Sequence, residues 1–69
     1  MMGKIVDRIR TLADSGHERA DELREKASAL EEGIAGFYGE PQTITVQSFM
    51  DRYARACLLW RDCTGEPLA

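Results

Sequence analysis

Small and apolar residues recur at steps of three and four through the first half of the chain: Ile5, Ile9, Leu12, Gly16, Ala20, Leu23, Ala27, Leu30 and Ile34. Steps of that size return to one face of a helix. The remaining faces are charged, with Asp7, Arg8, Arg10, Glu18, Arg19, Asp21, Glu22, Glu25 and Lys26. The spacing predicts one long helix over residues 3–33, closed by Gly33 as its C-cap. An alternative arises at residues 14–17, where Ser15 and Glu18 spell a capping box and Gly16 costs about 1 kcal/mol in a helix interior. Continuity is the preferred reading, because the apolar stripe passes through Gly16 in phase.

A second periodic stretch predicts a helix over residues 46–64. Val46, Phe49, Met50, Tyr53, Cys57 and Trp60 follow at helical steps, and Ala54, Ala56 and Leu58 widen the stripe. Thr45 is a good N-cap and Ser48 a rival. Thr64-Gly65 ends the helix, Pro67 forbids its resumption, and residues 65–69 read as a frayed tail. Residues 34–45 read as a glycine-punctuated loop with a short extended stretch, Gln42 to Val46. The expected fold is therefore all-α. A single domain over residues 1–69 forms a helical hairpin, two of which close a homodimeric bundle.

Size favours the dimer. A chain of 69 residues buries only about 60% of its unfolded surface. Folds that small add a disulfide, a metal or a second copy. Cys57 and Cys63 are the two cysteines, six apart on one helix and so about 9 Å apart along it, too far for a bridge. Cys57 reads as a core residue and Cys63 as a free thiol near a helix end. His17 is the single histidine, and no Cys or His spacing suits zinc. Self-association remains, with Ile9, Leu12, Gly16, Ala20, Leu23, Leu30, Phe49, Tyr53, Cys57 and Trp60 as the core and dimer seam.

Charge narrows the partners. A net charge of −3 disfavours broad phosphate binding, although Arg52, Arg55 and Arg61 lie along one helix. No apolar run approaches the ~20 residues of a membrane span, so a cytoplasmic protein is expected. The stretch from Asp14 to Glu32 is acidic and reads as a solvated face. Lys4, Arg8 and Arg10, like the arginines of the second helix, are basic clusters able to orient a partner.

Candidate chemistry is thin. Gly33, Gly36 and Gly39 follow a helix at G-x-x-G-x-x-G spacing, which is not the dinucleotide fingerprint, and no P-loop lysine accompanies them. His17 shares a face with Asp14 and Asp21, but two short helices scarcely supply a water-excluding pocket. No enzyme, cofactor or metal is expected. The aromatic pair Phe37-Tyr38 is more informative, because adjacent side chains point apart and only one enters the core. Phe37, Tyr38, Arg8, Arg10, Arg52 and Arg55 are the candidate partner contacts.

In size and composition the chain is similar to small accessory proteins carried by phages and mobile elements, which often bind and disable a host regulator or motor. The expected function is a non-enzymatic protein-binding module that modulates or inhibits a partner by occlusion or sequestration. A structural subunit of a larger complex is the alternative, and a nucleic-acid-binding regulator stands third.

Overall fold

The computed structural model describes residues 2–68. It holds three helices and, among those residues, no strand: α1 (Met2–Asp14), α2 (Ala20–Phe37) and α3 (Val46–Thr64). The predicted continuous helix is overturned. The apolar stripe is in phase through Gly16, but the chain breaks there. Gly16 takes φ 86°, a left-handed conformation that ends helices and suits glycine. The Ser15 hydroxyl donates to the Leu12 carbonyl at 2.6 Å, so it closes α1 and does not cap α2. The physical gain is plain. A straight rod would leave its stripe in water, whereas the turn lays Val6, Ile9 and Ala13 of α1 against Leu23, Ala27 and Leu30 of α2, all buried in one cluster. Gly16 is accordingly exposed in the turn and lies on no packing stripe.

Helix α2 starts without a conventional side-chain cap at Arg19. His17 fills part of that role: its Nδ1 accepts from the Arg19 backbone N–H at 3.0 Å. Asp21 and Glu22 stand in the first turn, where carboxylates favour the helix dipole. At the other end, α2 runs past Gly33 to Phe37. Gly33 is not a C-cap; it is a point of close approach. A Cβ there would lie 2.9 Å from Arg52 Cδ and 3.3 Å from Phe49 Cδ1. Gly36 serves the same end, with Thr43 and Ile44 against it. The connecting loop is tied by Thr43 N–H to Gly36 O at 2.9 Å and by Gln42 Nε2 to Phe37 O at 3.0 Å. No strand forms there; Ile44 instead packs on the core.

Helix α3 spans the predicted residues. Thr45 caps it, its hydroxyl accepting from Ser48 N–H at 3.0 Å, a cap worth about 1 kcal/mol. Gly65 ends it at φ 75°. The tail is the second correction. Thr64 Oγ1 accepts from Glu66 N–H at 3.1 Å, the chain turns back, and Leu68 is 1% exposed within the core cluster. Arg8 donates to the Leu68 carbonyl.

Helices α1 and α3 each pack on α2. Arg10 meets Glu31 through two contacts of 3.0 and 3.1 Å, and Arg24 meets Asp14 at 3.2 Å, so α1 and α2 run antiparallel. Phe37 stacks on Phe49 at 5.0 Å, and Arg52 donates to Ala29 O at 2.8 Å, so α2 and α3 do too. The result is an up-down-up bundle in one chain, in place of the two-helix hairpin.

Candidate functional site

Helix α3 is apolar on two sides. Phe49, Ala56, Leu59 and Trp60 are buried inward. Facing out, Val46 is 58% exposed, Met50 55% and Leu58 65%. Ala54 is exposed between them, and Tyr53 and Cys57 are half-buried at the edge. Steps of four from Val46 to Met50, Ala54 and Leu58 make a continuous outward stripe. Monomeric surfaces rarely leave such a stripe without use. Beside it lies a shallow groove of about 520 Å³ lined by Tyr53, Ala54, Cys57, Leu58, Arg61, Pro67 and Leu68. The tail thus builds one wall.

The charges around the stripe are specific. Arg55 Nε lies 3.0 Å from Asp51 Oδ2 along one edge. Arg61 lines the groove and has no ion pair among the described residues. Burial pushes the Tyr53 phenol above its ordinary value, and neighbouring Cys57 adds to the shift through charge and hydrogen bonding. Tyr53 is a polar-tipped apolar wall to the groove.

A second groove of about 440 Å³ runs between α1 and α3, lined by Asp7, Arg8, Thr11, Leu12, Ser15 and Trp60. The Arg8 guanidinium sits 4.9 Å from the centroid of the Trp60 ring. The indole N–H is buried without a hydrogen-bond partner.

The six candidate contacts fall in different places. Phe37 is the last residue of α2, half-buried between Phe49 and Tyr38. Tyr38 follows it, 67% exposed and edge-on to Phe37 at 4.9 Å. Arg8, Arg10 and Arg52 are engaged within the chain: with Leu68 and Trp60, with Glu31, and with Ala29 and Glu32 (3.7 Å) respectively. Arg55 is exposed and paired only to Asp51. Of the six, only Phe37 and Tyr38 are paired with each other.

Of the expected core, Ile9, Leu23, Leu30, Phe49 and Trp60 are buried, and Leu12, Ala20, Tyr53 and Cys57 are half-buried. Cys57 packs against the core cluster from the groove edge, while the centre of the α3 contribution falls on Phe49, Ala56 and Leu59. Both cysteines are free. Leu58, which the spacing predicts in the core stripe, is instead 65% exposed and faces away from it.

Among the described residues, no group of three or more His, Cys, Asp or Glu is placed to hold a metal, and no helix is long and apolar enough to cross a membrane. Fold and surface define a small three-helix protein with one outward apolar helix face. Comparison with known proteins brings no match: no family model, curated protein or solved structure aligns with the chain.

Proposed function

We propose that this chain is a small protein-binding module whose outward α3 face docks another polypeptide and modulates it by covering part of its surface. One observation carries the reading. The inward side of α3 already completes a core with α1 and α2, yet Val46, Met50 and Leu58 remain in water on the other side. Apolar area left exposed after folding is available free energy for association, at about 25 cal/mol per Å² removed from water. Tyr38, 67% exposed and 6.1 Å from Phe49, offers a separate aromatic anchor near the start of α3.

The test is capture from the native cell by a tagged chain, wild type against Met50→Glu/Leu58→Glu. Both substituted positions are exposed, so helicity by circular dichroism is expected to stay unchanged. The wild type is expected to retain stoichiometric protein, its own copies or another chain, that the double variant loses. An identical set of bound proteins on both would reject the α3 face as the docking surface.

A further inference from the structure

We infer that the outward face of α3 is occupied by the same face of a second copy of this chain, the two helices running antiparallel and crossing at Ala54. The inference rests on the reading of that face as a docking surface and names its occupant.

A two-fold interface must be complementary to itself. Ala54 sits near the middle of Val46–Thr64 and, by the 100° turn per residue, almost opposite the buried side of the helix. Its small side chain lets two backbones approach. One turn to either side stand Met50 and Leu58, the projecting residues. With the axis at Ala54 and the helices antiparallel, Met50 of each copy comes level with Leu58 of the other. There it faces the hole framed by Ala54, Cys57, Leu58 and Arg61, a knobs-into-holes arrangement. Those four residues line the groove already present in the single chain. One surface therefore carries both the knob and its socket.

Charge selects the same arrangement. Asp51 and Arg55, one turn apart and paired at 3.0 Å, bracket the axis on one edge. Antiparallel pairing sets each Asp51 two residues, about 3 Å along the axis, from Arg55 of the second copy, within reach of an ion pair. It also sets Arg61 opposite Gln47 and opposes the two helix dipoles. Parallel pairing would place Arg61 beside Arg61 across the seam, like charge against like. The small core argues for the second copy as well. Three of its eleven side chains are alanine (Ala13, Ala27, Ala56), and both cysteines are free, so a fold of this size gains its missing stability from association. A single helix face lies at the small end of stable interfaces, which sets the expected Kd in the micromolar range, roughly 1–100 µM.

Sedimentation equilibrium from about 1 to about 500 µM, bracketing that range, tests the proposal. The wild-type mass is expected to rise from one chain of 7.7 kDa toward two. Met50→Glu/Leu58→Glu is expected to stay at one with its helicity intact. In a Cys57→Ser/Cys63→Ser background, Ala54→Cys is expected to cross-link to itself under mild oxidation. Gln47→Cys should not, because antiparallel pairing holds the two positions about 21 Å apart along the axis. Equal cross-linking at both positions would overturn the antiparallel geometry. A wild type that stays single throughout would overturn self-pairing. In that event a fluorescent apolar dye separates the two readings. Dye bound by the wild type and lost in the double variant leaves the docking surface standing for a different occupant; dye indifferent to the substitutions removes both.

Discussion

Leu68 lies four residues beyond the end of α3 and is nevertheless 1% exposed. Its carbonyl accepts from Arg8, whose guanidinium also lies over Trp60. A contact across sixty residues of sequence fastens the tail to α1 and walls the α3 groove. Leu68→Ala removes a side chain from a packed site, for which about 2–3 kcal/mol is the expected loss. The urea midpoint should fall accordingly, and Trp60 emission should shift to the red in the native baseline. A loss under about 0.5 kcal/mol, the scale of surface substitutions, would mean the tail contributes no packing. None of this was legible in the sequence: Leu68 belongs to no periodic run, and Pro67 beside it reads as the end of structure.

Elements were more legible than their junctions. The apolar periods located all the helical residues of α3 and most of α1 and α2, because amphipathic spacing is a local property. The junctions failed where a local rule met a tertiary one. Gly33 looked like a cap, but the approach of Arg52 and Phe49 requires a residue without Cβ inside the helix. Gly16 looked tolerable in a helix, but burying two stripes against each other outweighs about 1 kcal/mol of propensity in either direction. The α1–α2 hairpin that results carries its own pH signature. Arg10 donates to Glu31 and holds its carboxyl below the ordinary value of 4.5. A carboxyl lowered in the folded state stabilises that state above its unfolded pKa, and the contribution fades as pH falls through the folded pKa. Stability of the wild type is therefore expected to drop between about pH 5 and pH 3, with a shallower slope for Glu31→Gln. Identical urea midpoints for the two proteins across that window would show the pair to be without effect. The pair is exposed on both sides, so the difference is expected to be small and to shrink with salt.

At the scale of the whole molecule, the candidate surface was only half visible beforehand. Most apolar residues of α3 stand in the predicted stripe, although buried Leu59 does not, and their division into an inward and an outward set depends on where α2 lies, which spacing alone does not give. The candidate arginines show the same limit: a charge pattern cannot distinguish Arg55, facing solvent, from Arg52, whose guanidinium reaches the Ala29 carbonyl. The middle position of α2 has a further consequence for how the chain reaches this structure. Each helix rests on its neighbour in sequence, so most native contacts close over short loops and cost little chain entropy. Such topologies fold in microseconds to milliseconds. A temperature-jump experiment on Trp60 fluorescence is expected to show relaxation in that range, and a phase of seconds would contradict it. Because α2 belongs to both hairpins, nucleation on either side prepares the template for the other, and the two routes to the native state should be nearly interchangeable.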